Sequence, residues 1–181
     1  MSNEGDVTRL PERREQEARE LRTVLGRFAT GVTVLSTGGD NAHGMTANSF
    51  TSVSLRPPLV LTCVARTAGM HEVIESTRSF GVNILGAHQE RLARYFADRR
   101  RPSGIEQFDV TDWFPGPYTG VPLLVDTIAW LECALVGTYD GGDHSVFVGQ
   151  VLGMGRDPVR SPLLFCDGQF ESLASPQAKS A

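Results

Sequence analysis

Apolar residues along this chain fall mostly in short runs divided by Gly, Pro, Asn and Asp, and near the N-terminus they recur at helical spacing. There Leu21, Val24, Leu25, Phe28 and Ala29 stand among charged residues on one helix face. They predict an amphipathic helix ending at Gly31, a residue suited to the left-handed turn after a helix. Val32-Thr33-Val34-Leu35 then reads as a first strand. Gly38-Gly39-Asp40-Asn41 supplies a turn, and residues 43–50 the second strand of a hairpin. Further strands are expected at residues 59–64, 80–85, 130–139, 144–152 and 163–166, which are rich in residues suited to a pleated, partly buried surface. Residues 70–76 fit a short helix, and residues 88–100 another with Leu92, Tyr95 and Phe96 as its buried stripe. The segment 101–126 carries Pro102, Pro115, Pro117 and Pro122. With Trp113, Phe114 and Tyr118 to bury, it is expected to be an ordered excursion positioned over a site.

Short connections, with the last hairpin crossing Asp140-Gly141-Gly142-Asp143, predict a mainly β fold with flanking helices, its strands closed into an antiparallel barrel that hides their edges. In residues 144–152 both alternating faces are apolar: Val146, Val148 and Leu152 on one, Phe147 and Val151 on the other. A strand buried on both faces at the surface of one barrel predicts a second subunit outside it, hence a homodimer. One domain is expected over residues 21–171, after a polar segment 1–20 that starts the helix and before a flexible tail at 172–181.

Composition narrows the function classes. Hydrophobic residues make up 40% of the 181 positions and charged residues 21%, ordinary globular usage. A net charge of −4 argues against nucleic acid or a membrane as partner. The densest basic stretch, Arg99-Arg100-Arg101, reads as a solvated helix end and receives no function. Cys63, Cys133 and Cys166 are odd in number and far apart, which argues against disulfides and points to reduced thiols. No run is long and apolar enough to span a bilayer and no signal-like start is present, so the expected location is cytoplasmic. His43, His71 and His88 lack metal-ligand spacing, so no metal site is expected. Neither dinucleotide nor P-loop glycine fingerprint occurs, so any nucleotide is held by a non-Rossmann scaffold.

Three places carry candidate chemistry. Residues 45–54, Met-Thr-Ala-Asn-Ser-Phe-Thr-Ser-Val-Ser, bear hydroxyl or carboxamide groups on both alternating faces; such a run is either an exposed strand and turn or the lining of a polar ligand site. Arg66-Thr67 follows an apolar strand and opens a segment with Gly69 and a short helix, a setting that suits a phosphate and equally an ordinary surface arginine. His144, beside Asp143 and just after a Gly-Gly turn, is at a rim where a side chain can face a ligand, or is an exposed turn histidine.

Taken in order, Phe28-Ala29-Thr30-Gly31-Val32-Thr33-Val34, the run from Gly44 to Ser54, Pro57-Pro58-Leu59-Val60 and Gly142-Asp143-His144 resemble the flavin reductase-like family. The resemblance implies an FMN-binding split β-barrel, antiparallel and of Greek-key type, homodimeric. It implies NADH-dependent reduction of free flavin, FAD or FMN, to supply a separate monooxygenase by diffusive transfer. It implies that Thr46, Ala47, Asn48, Ser49, Ser52, Val53 and Ser54 border the flavin rings and ribityl chain, that Cys63, Val64, Ala65, Arg66 and Thr67 run beside the ribityl and phosphate groups, and that Phe80 and Asn83 contribute to the flavin wall. His144, as the catalytic residue, Asp143 and Phe170 are implied near the nicotinamide. Relatives often carry Asp where Arg56 stands and Arg-Gly-x-Tyr where this chain has Asp167-Gly168-Gln169-Phe170; exchanging a cation for Asp167 disfavours the extra phosphate of NADPH, so NADH is expected as donor. The alternative on the same fold is a non-enzymatic flavin-binding or electron-transfer protein.

Overall fold

The computed structural model describes residues 9–157 and 160–173. Helix α1 (Arg9–Gly26) leads into β1 (Thr30–Gly31), β2 (Thr33–Thr37), β3 (His43–Ala47), β4 (Phe50–Leu55) and β5 (Pro58–Ala65). Next come α2 (Gly69–Thr77), β6 (Ser79–Ile84), a 3-10 turn at Ala87–Gln89 and α3 (Glu90–Ala97). A second 3-10 turn at Ile105–Phe108 precedes β7 (Trp113–Pro115) and β8 (Pro122–Leu124). The long strands β9 (Ala129–Gly141) and β10 (His144–Arg156) are followed by the hairpin β11 (Leu163–Cys166) and β12 (Gln169–Ser172).

Seven strands form one antiparallel sheet in the order β3-β2-β6-β9-β10-β5-β4, flanked by a small sheet β1-β11-β12 and the pair β7-β8. The two edge strands of the large sheet, β3 and β4, are consecutive in the chain and joined only by Asn48-Ser49. The sheet therefore curls until its ends stand side by side without pairing, which is a barrel split along one line. Bulges between Ser52 and Ser54, Val148 and Gly149, and Val151 and Gly153 supply part of the curvature.

Two apolar clusters explain why the curled sheet is stable. Inside it, Leu35, Val60, Val64, Phe80, Val82, Leu135 and Phe147 pack together, and α2 plugs the interior with Met70 and Ile74. Outside, Val34, Leu85 and Leu163 pack beneath Ala93 and Phe96 of α3 and beneath Phe108 and Leu124. Because β2 is covered on both faces, all five of its residues are buried. Full burial of each large side chain contributes about 1.5–3 kcal/mol.

Several expectations change. Helix α1 stops at Gly26 rather than Gly31, because Thr30 and Gly31 pair with Phe165 and Leu164 of β11. Its apolar stripe is open in the single chain, with Leu25 62% and Phe28 77% exposed. The strand expected at 43–50 is two strands broken at Asn48-Ser49. The hairpin expected across Asp140-Gly141-Gly142-Asp143 joins β9 to β10, but it is not the last, because β11 and β12 form a further hairpin that turns at Asp167-Gly168, both at positive φ. The segment 101–126 is ordered as expected, but Phe108, Val121, Leu123 and Leu124 anchor it, while Phe114 and Tyr118 stay exposed. Polar groups finish its attachment. Gln107 donates to Ala42 O (2.8 Å) and accepts from Gly44 N (2.7 Å), and the buried Glu132 carboxylate accepts from Tyr118 N (2.9 Å) and the Thr119 hydroxyl (2.8 Å). Of the two terminal segments, residues 1–8 and 174–181 lie outside the described residues; Ser172 ends β12.

Candidate functional site

At the split, β3 can no longer pair sideways and its end is tied down by side chains instead. The Ser49 hydroxyl donates to Cys63 O (2.7 Å), and Cys63 N–H donates to Ser49 Oγ (3.2 Å) and Ser49 O (3.3 Å). Asn48 Nδ2 donates to the Thr30 hydroxyl (3.2 Å), and the Thr46 hydroxyl donates to Ala93 O on α3 (2.7 Å). These small polar side chains thus keep the lip in shape and leave oxygen lone pairs for a ligand.

Strand register sets what faces the lip. Phe147 pairs with Thr62, and both are buried inside the barrel. The alternate set therefore points outward: His144 opposite Ala65, Val146 opposite Cys63, and Val148 opposite Leu61. A cavity of roughly 500 Å³ lies on that outer surface, bounded by residues 45–49, Cys63, Ala65, Ala68, Arg99, Gly141 and His144. A second cavity, roughly 420 Å³, shares Met45, Thr46, Ala68 and Arg99 with the first and continues past Thr67 and Gly69 to Arg101 and Ser103. Neither is lined by an acidic residue.

The turn bearing His144 is braced from the phosphate-like segment. Arg66 donates through Nε to Gly142 O (3.0 Å) and through its NH2 group to Asp140 (3.0 Å), while its backbone N–H donates to Asp143 O (3.0 Å). His144 Nδ1 donates to Asp143 Oδ1 (2.7 Å), and that bond holds the Asp143 carboxyl below its usual range. Nε2 is then the nitrogen available to a ligand. On the other flank Arg101 donates to Gly44 O, Asp98 O (2.7 Å) and Gln107 Oε1 (3.2 Å), and its NH2 group meets His43 Nε2 at 3.1 Å. Burial, and the charge of Arg101 beside it, push His43 below its ordinary value, so at pH 7 the ring is neutral and accepts that bond.

The structure thus gathers Thr46, Ala47, Asn48, Ser49, Cys63, Ala65, Thr67 and His144 around one cleft. Other expected residues lie elsewhere. Phe80 is fully buried in the interior cluster, as is Val64. Asn83 is also buried, its amide committed to Val34 O, Ser36 Oγ and Leu124 N, so neither Phe80 nor Asn83 walls the cleft. Ser52, Val53 and Ser54 continue along the edge strand β4 beyond it, with Ser54 Oγ accepting from Arg56 N. Arg66 braces the 140–143 turn instead of lining either cavity. Phe170 packs against Phe165 (5.3 Å) beneath the Arg94 guanidinium (4.8 Å); it reaches the lip only through Phe165 and Thr30 and does not line the cleft with His144. Conversely, Arg99 and Arg101, read as a solvated helix end, border the cavities, and His43 does so too. The signal was Asp98: it binds Arg100, two residues on, and leaves its neighbours for the other side.

Hydroxyls, a carboxamide, free backbone groups and cations without acids form a donor set that fits a flavin's pyrimidine edge, its hydroxylated chain and its phosphate. A split barrel with such a lip defines a flavin-binding class of protein. Residues 25–174 match the family model described as flavin reductase like domain, and the chain belongs to that family. It is 50% identical over 155 residues to the NADH-dependent FAD reductase of Streptomyces globisporus, covering 86% of this chain and 85% of that one. It is 41% identical over 157 residues to the NADH-dependent flavin reductase of a Rhodococcus species, covering 84% and 85%. Among solved structures it superposes with a TM-score of 0.84 at 49% identity on BorF, the flavin reductase component of a bacterial two-component tryptophan halogenase, covering 87% of this chain and 99% of that chain.

Thiol chemistry offers a probe of the cleft. Burial pushes the Cys133 thiol up to about 12, helped by the charge of Glu132 beside it, and burial raises Cys63 as well. Since the thiolate is the reactive form, iodoacetamide at pH 8 is expected to leave Cys133 unlabelled in the folded protein. It should label Cys63 slowly, and less so with excess FAD, by peptide mass spectrometry. Cys63 labelling indifferent to flavin would contradict the assignment of the cleft.

Proposed function

We propose that this protein is a reductase of free flavin, FAD or FMN, with NADH as donor, and that it releases reduced flavin by diffusion to a separate oxygenase. One observation carries the reading: the polar lip at the split opens onto the same outward sheet face as His144, so a planar ring system laid on the lip leaves one side toward that histidine. The bound flavin supplies N5 as the acceptor of hydride from nicotinamide C4. The protein's own part is placement. Thr46, Asn48 and Ser49 fix the ring edge, Thr67 and Arg99 meet the phosphate, and Arg66 locks the turn so that His144 is held against the nicotinamide. His144 orients the donor or offsets charge; a hydride transfer needs no obligatory base. Asp167, whose carboxylate already holds Arg27 (2.5 Å), stands where a cation would favour NADPH, which supports NADH. The electron-transfer alternative predicts tightly held stoichiometric flavin and no steady NADH oxidation.

A homodimer is part of the proposal, supported by what a single chain leaves uncovered. The outward row Val146, Val148 and Leu61 adjoins exposed Tyr139, and Leu152 and Met154 continue along β10, with Met154 72% exposed. The open stripe Leu21, Val24, Leu25 and Phe28 on and after α1 adds to it, more apolar surface than isolated exposed residues account for. A second copy over the Val146 row also walls the flavin cleft, which begins two residues away at His144. Among the described residues no helix is long and apolar enough to cross a membrane, and the place of action proposed is the cytoplasm, where NADH is regenerated.

Purified protein is expected to oxidise NADH steadily when FAD, FMN or riboflavin is supplied in excess, followed by loss of NADH absorbance. His144→Ala should lower turnover by about tenfold to a hundredfold while flavin affinity stays nearly intact. Absence of turnover with every flavin would sink the enzymatic reading, and unchanged turnover in the variant would remove the histidine's role. Light scattering at micromolar concentration should give the mass of two chains; a monomer would refute the dimer.

A further inference from the structure

Helix α2 carries a polar contact into the barrel interior that neither flavin nor donor uses. His71 lies edge-on to the buried Phe147, ring centroids 5.1 Å apart, and its Nε2 is 2.8 Å from the hydroxyl of Ser145. Glu75, one turn further along the helix, places its carboxylate 3.9 Å from Nδ1, too far for a hydrogen bond and near enough to favour a proton on that nitrogen. Nε2 is then left to accept from Ser145. The serine needs such a partner, because it is 1% exposed and a buried hydroxyl without an acceptor is costly. Carboxylate, imidazole and hydroxyl stand in the order of a nucleophilic triad, but Ser145 is on the same inward strand face as Phe147 and borders neither cleft cavity, so a substrate has no approach to it from the cleft.

Ser145 matters through its place in the chain. It follows His144 directly, and because successive residues of a strand face opposite ways, the serine points into the barrel while the histidine points out to the cleft. Two braces meet on this pair of residues. On the outside Arg66 holds the 140–143 turn through Gly142 O and Asp140. On the inside His71 holds Ser145, and its own backbone N–H donates to Ala68 O (2.9 Å), while Ala68 N–H donates to Ala65 O (2.9 Å). Ala65 is the residue paired with His144 across the sheet. The bonds thus close a ring from Ala65 through Ala68, His71 and Ser145 back to His144, and Ala65, Ala68 and His144 all border the first cavity.

We infer that His71 is a positioning residue for the hydride transfer: through Ser145 it pins the inner side of β10, so that His144 keeps a fixed place relative to the 65–68 segment of the cleft. The inference rests on the flavin reading above and deepens it, since it gives α2 a part in placing the donor. His144 is the first residue of its strand, and without the inner brace the side-chain support of its turn falls to Arg66, which is itself 46% exposed. A misplacement of about 1 Å in a reacting geometry can cost up to about a hundredfold in rate, so a bond that never touches the donor can still govern turnover. The rival account, in which His71 only fills space beside Phe147, needs no bond to Ser145 and lets any side chain of similar size serve.

The test measures steady NADH oxidation with flavin in excess, and flavin affinity by fluorescence quenching, for the wild type, Ser145→Ala, His71→Leu and His71→Gln. Melting temperatures are taken first, and if one of the two bond-breaking variants does not fold, the other carries the comparison. Ser145→Ala and His71→Leu should each lower kcat by about threefold to tenfold, with the Kd of FAD and FMN unmoved. His71→Gln, whose amide reaches the position of Nε2, should recover most of that loss. The decisive arm is a double-mutant cycle: adding Ser145→Ala to His144→Ala should cost nothing further, because no histidine is left to place. Equal turnover in His71→Leu and His71→Gln, additive losses in the cycle, or flavin affinity falling together with turnover would overturn the positioning role while leaving the flavin reading standing. A wild type that oxidises no NADH with any flavin would bring down the functional reading itself.

Discussion

A curled sheet of seven strands has two edges to dispose of, and here they are brought together without being joined. Strands β3 and β4 sit at opposite ends of the hydrogen-bonding order yet are separated in sequence by Asn48-Ser49 alone. Where a closed barrel would join its edges by backbone pairing, this one ties the seam to its surroundings with side chains: the hydroxyl of Ser49 on Cys63 O, the amide of Asn48 on the Thr30 hydroxyl and the hydroxyl of Thr46 on Ala93 O. The same residues that repair the split make its lip polar. The barrel interior is apolar and filled by Phe80 and Phe147, and the polar groups are gathered at the seam on the outside.

Around that seam the charges are sorted rather than merely present. Asp140 and the Gly142 carbonyl engage Arg66, which locks the turn before His144; Asp98 engages Arg100 and draws it out of the cleft. Asp98 is held at about 2 by that partner and is ionised at neutral pH. What remains facing the cleft is cationic or neutral: Arg99, Arg101 and a histidine kept uncharged by burial. An acidic protein can thereby offer a locally anion-seeking groove.

Much of this was legible in sequence, and the failures have physical causes. The hydroxyl-rich run 45–54 stood out because neither alternating face is apolar, and the Gly-Asp-His turn because tight turns place side chains at rims. The break within the run was not legible: Asn48 and Ser49 suit a strand until the global curl requires them to change direction. Asn83 and Phe80 were misplaced because strand alternation does not say which face is inside; in β6 both faces are covered, and five of its six residues are buried. The arginine run was discounted because a charge cluster is usually solvated, and only the pairing of Asp98 with Arg100 distinguishes its members. The α1 stripe was read as one face of an amphipathic helix on periodicity that is real, and that face is exposed in the single chain.

The central claim is that the seam, and not the barrel interior or the β7-β8 flank, is where the three-ring cofactor lies. A crystal structure of the protein grown with FAD tests it most directly. The account predicts the isoalloxazine within hydrogen-bond reach of Thr46, Asn48 and Ser49, with one ring face toward His144. Density for the rings on any other surface, with residues 46–49 unengaged, would contradict it.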